Sequence, residues 1–158
     1  MGWQIAKHLS VENNNITIVD SDPSLIRRAT ENIDVQGVLG FASYPDVLEQ
    51  AGARDADMII AATNSDEVNM VICQVAHSVF VIPRKIARLR SEDFLNPIWR
   101  NLYNADNMPI DLIISPELEV AKSIIRQLIS SGHINIDIEN YGALKILKTG
   151  NDILFNAY

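Results

Sequence analysis

The chain is poor in the residues that build disulfides, metal sites and nucleic-acid surfaces. Among its 158 residues there is one cysteine, Cys73, so an intramolecular disulfide is excluded. The three histidines stand far apart, without the spacing of metal ligands. The 20 acidic residues outnumber the 13 lysines and arginines, and the net charge of -7 argues against nucleic acid as a main partner.

Long hydrophobic runs are missing as well. Apolar residues make up 47% of the chain, but no run approaches the roughly 20 residues that span a membrane, and no signal peptide is recognisable. The sequence therefore predicts a soluble cytoplasmic protein with no direct membrane insertion. Its length suits one domain with a sizeable core and part of a second.

Strand and helix patterns alternate along the chain, which predicts a parallel α/β sheet. Residues 16–19 form a β-branched run that ends at Asp20, and Asp22 followed by Pro23 is typical of a helix start. Ser43 with Asp46, and Asn64 with Glu67, have the spacing of capping pairs and predict two further helix starts. Residues 58–62 form a continuous apolar run, as expected of a strand buried on both faces. Further strands are predicted over residues 35–39, 85–90 and 111–115.

The longest predicted helix begins at Pro116 and runs to about Ile129, before Gly132. Its apolar residues cover more than one stripe, which predicts burial on two sides, against another subunit or subdomain. Beyond Gly132 the pattern changes to short strands, so a domain boundary is predicted there. We expect an α/β domain over residues 1–115, a connecting helix over 116–131 and the start of a small α+β subdomain over 132–158.

Two residues at predicted strand–helix turns suggest nucleotide binding. Asp20 ends a strand 18 residues after Gly2, and an acid at that place commonly accepts hydrogen bonds from a ribose 2′-OH. The alternative is that Asp20 only turns the chain and helps Asp22 cap the helix. An acid there favours NAD over NADP. Gly2 has the position of the last glycine of a G-x-G-x-x-G fingerprint, whose first two glycines and preceding strand are not in this sequence.

Two further candidate binding residues, Thr63 and Arg88, each have a second interpretation that involves no ligand. The Thr63 hydroxyl, just past a buried strand, suits a phosphate or ribose, or else the cap of the next helix. Arg88 suits a ligand phosphate, or else a surface ion pair. Tyr141 and Lys145 have the spacing of the catalytic pair of short-chain dehydrogenases, but their strand-like context indicates a chance match. No nucleophile–base group is visible, so a non-enzyme is predicted.

Three segments of the sequence form a recognisable set of motifs. They are Gly40-x-Ala42-Ser43-x-Pro45-Asp46-Val47-Leu48-x-x-Ala51-Gly52, Asp55-Ala56-Asp57-Met58-Ile59-Ile60-Ala61-Ala62-Thr63-Asn64-Ser65-Asp66-Glu67-x-Asn69-Met70, and Ile86-Ala87-Arg88-Leu89-Arg90. Together these motifs resemble the TrkA N-terminal (RCK or KTN) domain of bacterial potassium uptake systems. The resemblance covers about residues 2–130, is strongest over 37–91, and continues through 109–117 into the long helix.

The resemblance implies a Rossmann-like domain that binds NAD(H) or ATP/ADP without turning them over. It implies a homodimer built partly through the crossover helix 116–131, assembled into a ring at the inner face of the membrane, where it acts on a potassium transporter. It places a ribose at Asp20, adenine at Phe41 and Ala42, and phosphates or the nicotinamide ribose at Thr63 and Asn64. It also implies that Gly2 is the last fingerprint glycine and that Arg88 contacts a phosphate. Glu117 would be the acid at the start of the crossover helix that faces the site.

The chain departs from this family's pattern in three respects. It starts at the position that matches the last fingerprint glycine, so the first strand, central in the order 3-2-1-4-5-6, is expected to be absent. The C-terminal subdomain stops short, and the family's tandem second copy is missing. Absence of the first strand would leave a gap in the sheet, and three outcomes are open. The gap closes by pairing residues 16–19 with 58–62, another chain supplies a strand, or the domain is loosely folded. The missing strand is expected to impair nucleotide affinity. The alternatives to a nucleotide-sensing module are a degenerate copy that binds no nucleotide and a fragment of a NAD-dependent Rossmann oxidoreductase.

Overall fold

The computed structural model describes residues 2–12 and 14–130 of the chain. It divides into two compact units, of which the first ends at Ile114 and the second begins at Ser115. The small subdomain predicted over 132–158, with Tyr141 and Lys145, lies outside the described residues.

Strands and helices alternate through the first unit, as the sequence pattern predicts. In chain order the elements are α1 (Gly2–Ser10), β1 (Thr17–Asp20), α2 (Pro23–Asn32), β2 (Gln36–Leu39), α3 (Pro45–Gln50), β3 (Met58–Ala61), α4 (Asp66–Ser78), β4 (Arg84–Arg88), α5 (Glu92–Leu95) and β5 (Leu112–Ile114). Short 3₁₀ helices cover Ala53–Asp55 and Pro97–Leu102. The second unit begins with α6 (Pro116–Ser130), the predicted long helix.

The described strands form two parallel sheets rather than one. β1 pairs with β2, with Asp20 opposite Leu39. β4 lies between β3 and β5, with Ala87 opposite both Ala61 and Ile113. No ladder of hydrogen bonds joins β1 to β3 in the described part of the chain. The parallel α/β prediction is confirmed, and the expected gap is not closed by pairing residues 16–19 with 58–62.

Helix starts agree with the sequence at one predicted cap and differ at two. Asp22 caps α2 by accepting a hydrogen bond from the backbone N–H of Ser24 at 2.8 Å. The predicted cap of α4 at Asn64 is wrong by one residue, because Ser65 Oγ accepts from the Val68 N–H at 3.2 Å. The predicted Ser43–Asp46 cap is also wrong: α3 begins after Tyr44, which makes no side-chain cap bond. Pro45, with its fixed φ, starts that helix instead.

Two apolar clusters form the core of the first unit. One joins α4 to the β3–β4–β5 sheet and includes Cys73, which is wholly buried. The other joins α3 to the end of α4 through Leu48 and Phe80. Ala42, from the loop after β2, packs against both clusters. That contact ties the end of the small β1–β2 sheet to the larger sheet.

Helix α6 carries exposed apolar residues. Leu118, Val120 and Ile124 are 38%, 59% and 49% exposed. Burial of this helix on two sides, against another subunit or subdomain, stays a prediction.

Candidate functional site

The strand ends that sequence analysis singled out lie where parallel strands finish together. Asp20 stands opposite Leu39, and the Gly40 N–H donates to the Asp20 carbonyl at 2.9 Å. A Cβ at Gly40 would come within 2.8 Å of Val47 Cγ2, so only glycine fits this close turn into α3. The end of β1 and the loop after β2 are therefore held side by side.

The Asp20 carboxylate has one oxygen in use and one available. Its Oδ1 accepts a hydrogen bond from the Asp22 N–H at 2.9 Å, which is the turn-forming role weighed as the alternative. Among the described residues, no group donates to Oδ2. The side chain is half-buried. This carboxylate can therefore hold the turn and accept a further hydrogen bond from a ligand hydroxyl.

An exposed aromatic pair, Phe41 and Tyr44, follows directly. The two ring centroids lie 5.5 Å apart with the planes tilted by 48°. Phe41 is 59% and Tyr44 58% exposed. A turn bond from the Tyr44 N–H to the Phe41 carbonyl, 3.0 Å long, brings both rings to the same place. Sequence analysis did not select Tyr44, although its place three residues after Phe41 in the same turn could have indicated a second aromatic ring beside it.

The loop after β3 is organised by Asn69, a residue that sequence reasoning also missed. Asn69 is wholly buried, and its Oδ1 accepts from the Thr63 N–H at 2.8 Å and from Thr63 Oγ1 at 2.7 Å. Its Nδ2 donates to the Arg88 carbonyl at 2.8 Å. Asn69 thus joins the ends of β3 and β4, and the Thr63 hydroxyl is engaged inside the protein. A polar residue on the buried face of an apolar helix was the available signal.

A buried carboxylate organises the loop after β4. Asp66 is 6% exposed, and its Oδ2 accepts from the N–H groups of Arg90 and Ser91, each at 2.8 Å. The Arg90 Nε lies 3.8 Å from Asp66 Oδ1, and its guanidinium donates to the Asn64 carbonyl. Arg90 therefore has a structural ion pair. The Asn64 side chain is exposed, and Arg88 is half-buried at the end of β4.

The remaining predicted positions lie at two helix starts. Gly2 is the first residue of α1, and a Cβ there would meet nothing within 4 Å. Glu117 is exposed in the first turn of α6, in the second unit. An apolar depression of about 270 Å³ is lined by Asp93, Phe94, Trp99 and Leu102, and it includes none of the predicted site residues.

Three other features bear on chemistry. Within residues 2–12 and 14–130, no three His, Cys, Asp or Glu residues are grouped to hold a metal ion. Burial raises the pKa of Cys73 to about 12, so this thiol is protonated at neutral pH and is a poor nucleophile. No described helix is long and apolar enough to cross a membrane.

Comparison with known proteins gives one family and several relatives. The family model described as the TrkA-N domain matches residues 1–116. Trk system potassium uptake protein TrkA of Azorhizobium caulinodans is 49% identical over 135 residues, covering 85% of this chain and 30% of that protein. The protein of the same name from Halomonas elongata is 45% identical over 148 residues, covering 94% of this chain and 30% of its own length. The chain thus spans about 30% of the length of these curated relatives.

Solved structures show the same fold at low sequence identity. The TrkA-N domain of inner membrane protein ybaL from Escherichia coli has a TM-score of 0.68 and 17% identity, over 81% of this chain and 89% of that one. The Shewanella denitrificans Kef CTD in its AMP-bound form has a TM-score of 0.64 and 22% identity, over 83% and 76%. The GsuK channel bound to NAD has a TM-score of 0.57 and 19% identity, over 73% and 19%.

Proposed function

Because the chain belongs to the TrkA-N domain family, we propose that it is a regulatory, nucleotide-sensing module of a potassium uptake system. The observation that carries this proposal is the carboxylate of Asp20 at the end of β1, beside the exposed Phe41 after β2. A carboxylate and an aromatic face at neighbouring strand ends suit the ribose and the base of one nucleotide. Relatives named as potassium uptake proteins support the regulatory role.

The proposed ligand is NAD(H) or ATP/ADP, bound without turnover. Asp20 Oδ2 accepts from a ribose hydroxyl, and this acid favours NAD over NADP. Adenine lies against Phe41 and Ala42. The exposed Asn64 amide and the Thr63 loop face the phosphates or the nicotinamide ribose. Arg88 is proposed to contact a phosphate. Gly2 at the start of α1 and Glu117 in the crossover helix α6 are the further proposed contacts.

Replacing Asp20 by Asn tests the site. The variant loses a charge-assisted hydrogen bond, so NADH binding should weaken by about 1.5–3 kcal/mol. Isothermal titration of the full chain with NADH measures the change, and constant NADH absorbance checks that nothing is turned over. Asp22→Asn is the matched control, because Asn also caps helices and should leave the affinity unchanged. Equal affinity of Asp20→Asn and the unmodified chain would remove Asp20 from the site.

The proposed partners are a second copy of this chain and a membrane potassium transporter subunit, with the protein at the inner face of the cell membrane. The apolar face of α6 supports the first of these, since Val120 and Ile124 are about half exposed. Light scattering of the full chain should give the mass of a dimer or larger assembly. Ile124→Glu should shift it towards monomer, whereas Lys122→Glu, at an already exposed polar position, should not. A monomeric mass for the unmodified chain would contradict the proposal.

A further inference from the structure

The segment between β4 and β5 exposes aromatic and aliphatic side chains beside a carboxylate. Phe94, Trp99 and Leu102 line the depression of about 270 Å³, and Asp93 is the charged residue of its lining. Trp99 is 57% and Leu102 37% exposed, whereas Phe94 is half-buried and packs against the core cluster that joins α4 to the larger sheet. The core therefore holds one wall of the depression in place, while the other residues are open to a partner.

The polar groups of this depression are not used by the described part of the protein. Within residues 2–12 and 14–130, no group forms an ion pair or a hydrogen bond with the Asp93 carboxylate, and none accepts from the Trp99 indole N–H. Arg90, a cation three residues before Asp93, is already paired with Asp66. One carboxylate and one aromatic ring are thus left for a partner at the same place.

An arginine side chain matches this combination of groups. Its aliphatic stem packs on apolar walls, its planar guanidinium stacks on an indole ring, and its N–H groups pair with a carboxylate. The depression of about 270 Å³ is smaller than the roughly 300–1,000 Å³ of pockets that hold small molecules. A single side chain of a protein partner therefore fits it better than a cofactor does, and Trp and Arg are the residues that most often dominate binding energy in interfaces.

We propose that this depression docks an arginine from a cytoplasmic segment of the membrane transporter subunit. The inference rests on the proposed function, which supplies that partner. Cytoplasmic loops of membrane proteins carry an excess of Lys and Arg, and the net charge of -7 on this chain attracts such loops. The guanidinium stacks on Trp99 and pairs with Asp93, while apolar neighbours of the arginine cover Leu102.

The test uses a synthetic peptide with one arginine between two leucines. A matched peptide carries citrulline, which has nearly the same shape but no charge, in place of the arginine. The isotopically labelled full chain is titrated with each peptide and followed by two-dimensional NMR, which measures dissociation constants into the millimolar range. The arginine peptide should shift the backbone signals of residues 93–102 and the indole signal of Trp99, and the citrulline peptide should bind roughly fivefold more weakly.

Two variants test the two contacts separately. Trp99→Ala should weaken binding of the arginine peptide roughly tenfold. Asp93→Asn should weaken it roughly threefold and leave binding of the citrulline peptide unchanged. Glu31→Gln, which removes an exposed acid on α2, should match the unmodified chain. None of these variants should change the NADH affinity, because they lie outside the proposed nucleotide site.

NADH titration of the same samples separates this inference from the proposed function. Equal binding of the two peptides, or no shift of residues 93–102 at millimolar peptide, would overturn the inference and leave nucleotide sensing standing. A lower mass of Trp99→Ala in light scattering would show that a second copy of this chain occupies the depression, and would also overturn it. A chain that binds the arginine peptide but not NADH would contradict the proposed function and, with it, the transporter as the source of the arginine. Arginine-selective binding that Asp93→Asn reduces, at an unchanged NADH affinity, supports the inference.

Discussion

Val81 is the only non-glycine residue with a positive φ, 57°, among those the structure describes. It lies three residues beyond the end of α4, where its N–H donates to the His77 carbonyl at 3.2 Å and the Ile82 N–H donates to the Ala76 carbonyl at 3.0 Å. Glycine is usual at this left-handed position, because a β-branched side chain is strained there. Its side chain is 75% exposed, so its removal costs little packing.

We predict that Val81→Gly stabilises the protein by about 0.5–1 kcal/mol, because relief of the left-handed strain exceeds the entropy that glycine adds to the unfolded chain. Urea unfolding measures the change. Val79→Gly is the control, since Val79 lies at the same helix end with an ordinary φ of -102°. It should destabilise by about 0.5–1 kcal/mol. A stability change of the same sign in both variants would contradict the strain argument.

At the scale of elements, β4 and β5 are joined by a buried lysine and a half-exposed aspartate. Lys85 is 6% exposed, and its Nζ lies 3.0 Å from Asp111 Oδ2. The same oxygen accepts from the Lys85 N–H at 2.6 Å. Burial raises the pKa of the Asp111 carboxyl, but the hydrogen bonds from Lys85 and the charges of Lys85 and His77 outweigh burial and hold that pKa below its usual range.

The lowered pKa determines the sign of a pH effect. The folded carboxyl binds its proton at lower pH than the unfolded one, so its stabilisation is complete above about pH 4 and is lost as the pH falls further. Asp111→Asn should cost about 1–2 kcal/mol at pH 7, a figure reduced for the exposure of Asp111. Urea unfolding at pH 7 and pH 3 should show the difference between variant and unmodified chain shrinking at pH 3. Asp106→Asn, at an exposed turn position, should change neither, and a difference independent of pH would refute the ion-pair account.

At the scale of the whole molecule, the two sheets leave strand edges unpaired. In the described residues β1 pairs through one edge with β2, and β3 through one edge with β4. Each buried backbone group without a partner costs about 1–3 kcal/mol, which is large against the roughly 5–15 kcal/mol of a folded domain. The open edges are therefore the place where added backbone pairing stabilises this molecule most.

We predict that a β-strand followed by a G-x-G turn, joined before Met1, raises both the melting temperature and the NADH affinity. The strand supplies partners for the open edges, and the glycine turn lets backbone N–H groups approach a phosphate. Thermal shift with and without NADH compares the extended chain with the 158-residue chain. An extension of equal length made of Gly and Ser serves as control. Equal stabilisation by NADH with and without the strand would show that the added segment is dispensable.

Much of the fold follows from local patterns in the sequence. The order of strands and helices, their parallel pairing, the cap at Asp22 and the start of α6 at Pro116 are all predicted by short-range periodicity and by residues that favour helix starts. The same patterns place Asp20, Thr63 and Arg88 at or just beyond strand ends, where the structure has them. Their roles toward a ligand remain proposals.

Only the tertiary structure decided which polar side chains form hydrogen bonds inside the protein and which are exposed to solvent. The Thr63 hydroxyl is engaged by Asn69 across six residues, and Asp66 binds backbone groups 24 and 25 residues away. Neither pairing could be predicted from local sequence patterns. Buried polar groups must find hydrogen-bond partners, but those patterns do not show which residues distant in the chain supply them. The division into two sheets was likewise decided by tertiary structure, since strand pairing depends on which edges meet in space and not on the sequence of either strand alone.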